Sequence, residues 1–275
     1  MSGAAQAAVR WEGRLRARRP VARGLWLLEV TWPAGAGPDD FRPGQFVMAG
    51  PAADPFVLPR PLSILDLRDG ALRLLVQPAG AGTHRLTALA PGERLTLLGP
   101  LGTAFPPPDD PRPRLLLAGG VGLPPLLAWQ RRVGRTGDVA CFGARDAARV
   151  PWALLGPAWR VAVEGGTAPA GRAAASGTVL ALARALAPAA AADDAVVLAC
   201  GPLPLLRAAA AWCRETGREG YVSLEERMGC GYGVCRGCVV PTVSGGYADT
   251  CREGPVMPVD RVDWERLGRL PEATP

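Results

Sequence analysis

A cysteine-rich segment near the C-terminal end constrains this chain more than any other feature. Residues 229–251 hold four of the seven cysteines, in the spacing C-x4-C-x2-C-x12-C. The first three positions match the plant-type spacing of [2Fe–2S] ligands, in which four thiolates hold two irons. Glycines between the cysteines let backbone N–H groups approach the sulfurs closely. The segment therefore predicts an iron–sulfur cluster with four thiolate ligands, Cys230, Cys235, Cys238 and Cys251.

Three other uses of cysteine compete with this cluster. A structural zinc site usually has two short Cys pairs, and here the first gap is four residues instead of two. A disulfide needs an oxidising compartment, and residues 1–12 lack the long apolar core of a signal peptide. Unligated core cysteines do not cluster in a glycine-rich, polar stretch. Zinc is the alternative that stays open.

The first part of the chain, residues 1–110, predicts a series of short β-strands. Pro, Gly and Asp interrupt its apolar runs, notably at 33–38, 69–70 and 91–92. Many short strands at regular spacing favour an antiparallel barrel. Asp69-Gly70 predicts a hairpin turn, and a short helix is expected from Thr83 to Ala90. The candidate strands are 11–19, 24–32, 45–49, 60–66, 71–77 and 94–98.

Two short motifs in this part are suited to binding an anion. Arg60-Pro61-Leu62-Ser63 lies on a predicted strand, where the guanidinium can pair with a diphosphate and the hydroxyl can hydrogen-bond a ring nitrogen. Gly82-Thr83 opens the predicted helix, and N–H groups at a helix start form an anion site. Each motif also has a purely structural explanation, a strand edge for Arg-Pro and an N-cap for the threonine. The residues alone leave both explanations open.

From residue 111 to residue 224 the pattern changes to apolar strand-like runs that alternate with helical runs. This alternation predicts βαβ units and a parallel sheet with helices on both faces. The proline-rich segment 105–113 is the natural linker, and the Ala/Gly-rich stretch 165–176 is expected to be a loop. The chain thus divides into three predicted domains: a barrel at 1–110, an α/β domain at 111–224 and a cluster-binding subdomain at 225–275. The candidate strands are 114–118, 138–142, 160–163, 195–200 and 221–224, and the candidate helices are 124–133, 178–187 and 204–217.

Two turns in the α/β part follow predicted strands directly. Gly119, Gly120 and Gly122 lie between a strand and a helix start, where a pyrophosphate can rest on backbone N–H groups. Cys200-Gly201 follows the apolar run 195–199. Open α/β sheets bind ligands at the carboxyl ends of their strands. Both turns are therefore candidate nucleotide contacts, although a buried cysteine at a strand end explains Cys200 equally well.

Charge and hydropathy disfavour two properties, nucleic-acid binding and membrane spanning. The net charge is +6, and all 31 basic residues are arginines that are scattered and not interleaved with aromatic residues, which disfavours a nucleic-acid surface. The apolar runs 114–129 and 179–200 are interrupted by Gly and Pro or by Arg and Asp, so neither predicts a membrane span. A cytoplasmic protein is expected.

In their order along the chain, these motifs resemble the electron-transfer subunits of dihydroorotate dehydrogenase B, within the ferredoxin–NADP reductase superfamily. The resemblance runs from about residue 10 to about residue 264 and includes Ser223-Leu-Glu-Glu-Arg-Met before the cysteines. It implies FAD in the barrel and NAD(H) in the α/β domain, in addition to the cluster. The implied FAD contacts are Arg60, Pro61, Leu62, Ser63, Leu75, Val76, Gln77, Gly82 and Thr83. The implied NAD(H) contacts are Gly119, Gly120, Gly122, Cys200 and Gly201.

The resemblance also implies a function in pyrimidine biosynthesis. A hydride carries two electrons and the cluster accepts one at a time, so a flavin must stand between them. The implied partner is an FMN-containing dihydroorotate dehydrogenase catalytic subunit that converts dihydroorotate to orotate, in a heterotetramer of two copies of each chain. No residue of this chain is expected to act as a catalytic acid or base. The preference for NAD or NADP stays open, because the Arg145 side chain can contact either the 2′-phosphate of NADP or solvent.

Two rival functions fit the same residues. Similar subunits serve hydrogenases, sulfur reductases and electron-bifurcating ferredoxin:NADP oxidoreductases, which share the cofactors and differ in the partner. A zinc-holding interaction module on a vestigial nucleotide fold is the non-enzymatic rival. The metal content separates that rival from the redox functions, because iron with acid-labile sulfide excludes it.

Overall fold

The computed structural model describes residues 8–33, 41–53, 58–187 and 194–267. The predicted turn at 33–38 lies almost wholly outside these ranges, as do the first seven residues of the chain. Within the described residues, no helix is long and apolar enough to cross a membrane.

The N-terminal part consists of β1 (Val9–Ala22), β2 (Leu25–Thr31), β3 (Phe46–Pro51), β4 (Arg60–Arg68), β5 (Ala71–Val76), α1 (Ala81–Ala88) and β6 (Arg94–Leu101). Its strands form a closed antiparallel barrel in the order β1-β2-β5-β4-β3-β6, which confirms the predicted barrel. The β4–β5 hairpin turns at Asp69 and Gly70, whose φ angles are 56° and 65°. A two-residue hairpin turn of this type requires positive φ at both residues. Helix α1 begins at Ala81, two residues before the predicted start.

The second part is the predicted parallel sheet with its helices. Its elements are β7 (Arg114–Gly119), α2 (Leu123–Val133), β8 (Val139–Ala144), β9 (Trp159–Val163), β10 (Ala175–Ser176), α3 (Val179–Leu186), β11 (Val196–Cys200), α4 (Leu203–Thr216) and β12 (Gly220–Ser223). Its strands are apolar on both faces, because α2 covers one face over Leu116 while α3 and α4 cover the other over Leu115 and Leu117. The loop expected at 165–176 ends in a two-residue strand that pairs with β9, which corrects that prediction at its last two residues.

The C-terminal segment holds the cysteine loop and then returns to the sheet. It contains β13 (Val239–Pro241), β14 (Tyr247–Asp249), α5 (Thr250–Glu253), β15 (Val256–Pro258) and α6 (Trp264–Leu267). Strand β15 pairs antiparallel with β12, so the sheet order is β10-β9-β8-β7-β11-β12-β15 and one edge is not parallel. The sequence pattern missed β15 because three residues are too few to show a period. The three-domain division stays a prediction.

Apolar contacts join the three parts. Leu27, Leu65 and Leu75 of the barrel share one core cluster with residues of α2 and of the sheet. The Thr103 hydroxyl, just after β6, donates to the Val256 carbonyl at 2.8 Å and accepts from the Val256 N–H at 3.1 Å. These contacts hold the barrel, the sheet and the cysteine segment against one another.

Candidate functional site

The four predicted ligand cysteines come together in two pairs. The N–H of Cys235 donates to the Cys230 sulfur at 3.5 Å, and the neighbouring Cys238 thiol adds to the effect of burial in raising the pKa of the Cys251 thiol. The β13–β14 hairpin explains the second pair. It begins directly after Cys238 and ends just before Cys251, so its antiparallel strands return the chain to its starting point. A binuclear cluster takes two thiolates on each iron, and two adjacent pairs fit that donor set.

The two pairs lie in different surroundings. Cys238 and Cys251 are 1% and 2% exposed, and they pack with Phe46, Met48 and Leu101 of the barrel. Cys230 is half-buried and Cys235 is exposed. Within the described ranges no three metal-ligating side chains converge as a single-ion site requires. The inner pair therefore faces the barrel, and the outer pair faces solvent.

Backbone N–H groups surround the Cys230 sulfur of the outer pair. Burial raises the pKa of the Cys230 thiol, but N–H groups of Cys235, Tyr232 and Val234 hydrogen-bond its sulfur and lower that pKa to about 6. At Cys251, burial and then the neighbouring Cys238 raise the pKa to about 12. Donors directed at sulfur stabilise thiolate, which is the form that binds metal. The cradle around Cys230 is thus suited to a metal-bound sulfur.

Gly231 brings the cysteine loop onto the barrel. Its φ is +84°, and a Cβ built there would lie 2.4 Å from Met48 Cγ, so the position admits only glycine. Met48 on β3 lies opposite Pro61 on the neighbouring strand β4. The loop therefore lies one strand away from the motif that was predicted to contact FAD.

The two predicted anion-binding motifs of the barrel also meet. The Arg60 guanidinium lies against the start of α1, since a Cβ built on Gly82 would be 2.4 Å from Arg60 Nε. Thr83 Oγ1 accepts hydrogen bonds from the N–H groups of Ala79 and Gly80, at 2.9 and 3.1 Å, and so shapes the turn before the helix. A cation beside open helix N–H groups fits a phosphate group.

The remaining FAD candidates divide by the direction of their side chains. Leu62 and Val76 are buried in the barrel core, and Leu75 lies in the core between barrel and sheet. These three can offer a ligand only their backbone. Pro61, Ser63 and Gln77 are half-buried and face outward from those cores.

The two candidate nucleotide turns touch each other at the carboxyl edge of the sheet. A Cβ on Gly122 would lie 2.4 Å from the Cys200 carbonyl oxygen and 2.5 Å from the Gly201 nitrogen, and a Cβ on Gly201 would lie 3.0 Å from Gly119 Cα. By contrast, Gly120 has open space around its Cα and a φ of +53°. The turn thus exposes backbone at Gly120 and packs on the neighbouring turn through Gly119 and Gly122.

The structure adds two residues that the site predictions did not include. Ser223 lies opposite Cys200 in the β11–β12 register. Burial raises the pKa of Cys200, and the nearby Glu225 raises it further. Burial also raises the pKa of Glu225, although solvent reaches its side chain. The position of these two residues at a strand end was the signal that could have found them.

Comparison with known proteins identifies the family. A family profile described as the iron–sulfur cluster binding domain of dihydroorotate dehydrogenase B matches residues 225–263. The electron transfer subunit of dihydroorotate dehydrogenase B (NAD(+)) from Geobacillus kaustophilus (strain HTA426) is 38% identical over 231 residues, which cover 78% of this chain and 84% of the relative. This chain belongs to that family. The homologous subunit from Aquifex aeolicus (strain VF5) is 34% identical over 227 residues, which cover 80% and 85%.

Solved structures confirm the fold of this electron transfer subunit. The structure of an NADH-dependent reduced ferredoxin-NADP oxidoreductase, studied for flavin-based electron bifurcation, has a TM-score of 0.78 at 24% identity and covers 98% of this chain and 94% of its own. A ferredoxin reductase of carbazole 1,9a-dioxygenase has a TM-score of 0.62 at 22% identity, over 77% and 67%. The predicted barrel followed by an α/β domain is the fold of these reductases.

Proposed function

We propose that this subunit passes electrons between NAD(H) and an FMN-containing dihydroorotate dehydrogenase catalytic subunit, through FAD and a [2Fe–2S] cluster. When bound, FAD would supply the conversion between the two-electron chemistry of the nicotinamide and the one-electron chemistry of the cluster. In the biosynthetic direction, electrons from dihydroorotate reach NAD+ and orotate is formed. We further propose a heterotetramer with two copies of each chain.

The observation that carries this proposal is the position of the cysteine loop. The inner thiol pair packs on Met48, whose strand partner is Pro61 in the proposed FAD motif. The outer pair is open to solvent, and Tyr232 and Val234 beside it are 52% and 73% exposed. The loop thus has one end at the proposed flavin site and one end at the surface, as a relay to a second protein requires.

Each group of residues has a distinct task in this proposal. Arg60 and the start of α1 bind the diphosphate of FAD. The turn at Gly119–Gly122 binds the pyrophosphate of NAD(H), and Cys200 with Ser223 forms the floor under the nicotinamide. The four cysteines hold the cluster, and the N–H groups around Cys230 lower the energy of its charged state.

Purification under anaerobic conditions from the source organism, with identification of the co-purifying chain by mass spectrometry, tests the partner. An FMN-binding dihydroorotate dehydrogenase in equal amount supports the proposal, and the mass of the native complex reports the stoichiometry. A hydrogenase, a sulfur reductase or a ferredoxin-linked partner would overturn the pyrimidine assignment. Zinc in place of iron and acid-labile sulfide would overturn the redox function as well.

A further inference from the structure

A small pocket lies between the barrel and α2, and its lining includes none of the predicted cofactor contacts. Its volume is about 210 Å³. Four apolar residues and four arginines line it, and we call it the arginine pocket. The lining residues are Leu27, Leu65, Ala153, Leu154, Arg19, Arg68, Arg73 and Arg131.

Two carboxylates that do not line the pocket form ion pairs with some of these arginines. Arg73 Nε contacts Glu29 Oε1 at 3.1 Å, and Asp66 Oδ2 lies 3.3 Å from Arg68 Nη2 and 3.5 Å from Arg73 Nη1. Neither Asp66 nor Glu29 lines the pocket itself. Four guanidinium groups thus meet two carboxylates, which leaves an excess of two positive charges on the lining.

The excess belongs to Arg19 on the barrel and Arg131 on α2. Arg19 stands opposite Leu27 in the β1–β2 register, and the described part of the chain gives its guanidinium neither a hydrogen bond nor an ion pair. Arg131 Nη1 lies 3.9 Å from Asp66 Oδ2, which is too long for a hydrogen bond. Its Nη2 donates to the Leu154 carbonyl at 3.0 Å, which holds the side chain at the pocket.

The surroundings of Arg131 disfavour its charge. Burial lowers the pKa of Arg131, and the neighbouring Arg68 and Arg73 lower it further against the opposing effect of Asp66. An anion in the pocket would reverse this effect, because it brings opposite charge to a partly desolvated guanidinium.

We propose that the arginine pocket binds a small oxyanion, either phosphate or a compact carboxylate, between Arg19 and Arg131. The planar fork of a guanidinium matches both anions bidentately. Pockets for drug-sized ligands measure about 300–1,000 Å³, so 210 Å³ suits an ion of this size and not a dinucleotide. Helix α2, which carries Arg131, begins directly after the Gly122 turn. An anion bound by both Arg131 and Arg19 would therefore link the helix of the proposed nucleotide site to the barrel.

Calorimetric titration of the FAD- and cluster-loaded protein with inorganic phosphate tests this site. Saturating NAD+ occupies the nucleotide turns, and chloride at matched ionic strength controls for general screening. We expect saturable binding of phosphate, weakened about tenfold or more in Arg19→Gln, since a charge-assisted hydrogen bond is lost. Arg19 is exposed, so this variant should fold normally. A parallel titration with citrate separates a carboxylate from a phosphate preference.

Two further variants make the result decisive. Asp66→Asn removes the competing negative charge and should bind phosphate more tightly than the wild type. Arg94→Gln removes an exposed arginine of β6 that pairs with Glu12 outside the pocket, and it should leave the affinity unchanged. Absence of saturable binding, or equal affinity in Arg19→Gln and Arg94→Gln, would overturn the proposal and leave the arginines as an ion-pair network between the domains.

Discussion

Substitution of Gly82 by alanine should separate FAD binding from the stability of the fold. The new Cβ would lie 2.4 Å from Arg60 Nε and 2.8 Å from its Cζ. Contacts of this kind normally begin near 3.4 Å, so the guanidinium must move by about 1 Å. The obstructing group is the end of a flexible side chain, and the backbone has no need to move. Alanine is also the better helix former by about 1 kcal/mol.

The two effects of Gly82→Ala therefore have opposite signs. Displacing the guanidinium forfeits a charge-assisted hydrogen bond of about 1.5–3 kcal/mol, which weakens FAD binding roughly 10- to 100-fold. The melting temperature of the flavin-free protein should stay constant or rise by a few degrees. Titration of FAD into that protein by flavin fluorescence, with thermal unfolding of the same sample, measures both quantities.

Matched variants decide whether Arg60 carries the effect. Gly80→Ala is the control, because a Cβ there meets no atom within 4 Å. In an Arg60→Ala background, Gly82→Ala should cause no further loss of FAD affinity, since the guanidinium that the new Cβ would displace is absent. Wild-type affinity in Gly82→Ala would refute the assignment of the guanidinium to the diphosphate.

Three further outcomes are expected. The new Cβ of Gly122→Ala would clash with the backbone at Cys200 and should lower the free energy of unfolding by about 1–3 kcal/mol. The melting temperature should fall by several degrees, and NAD(H) binding should weaken. Gly156→Ala, whose Cβ would lie in open space, should change neither. Cys235→Ser should abolish the absorbance of the cluster and electron transfer to the partner subunit, while NADH still reduces the flavin. Retained coupled turnover with the partner would contradict this prediction. Thr103→Val removes both hydrogen bonds to Val256 and should cost about 1–3 kcal/mol of unfolding free energy in a denaturant titration.

The features that could be predicted from the sequence are those with a short-range cause. The spacing of Cys230, Cys235 and Cys238 is local, and so is the left-handed turn at Asp69-Gly70. The alternation of strands and helices predicted the parallel sheet because each buried strand must be apolar on both faces. In each case a few neighbouring residues contain the whole physical reason.

The features that escaped prediction depend on contacts between distant residues. Gly122 meets Cys200 only because β7 and β11 are neighbours in the sheet, and spacing along the chain says nothing about that order. Val256 returns to the sheet edge in a strand too short to show a period. The burial of the Leu75 and Val76 side chains in cores likewise depends on residues far away in the sequence, and the FAD contacts expected at these two residues stay a prediction. Tertiary packing decides all three.

The most direct test of this account is an anaerobic titration of the isolated, cofactor-loaded subunit with NADH, followed by visible absorbance and electron paramagnetic resonance. If the cysteine loop relays electrons from the flavin site to the surface, NADH should bleach the flavin and then produce the paramagnetic signal of a reduced [2Fe–2S] cluster. Bleaching of the flavin without that signal, from a sample that contains iron and sulfide, would contradict the relay.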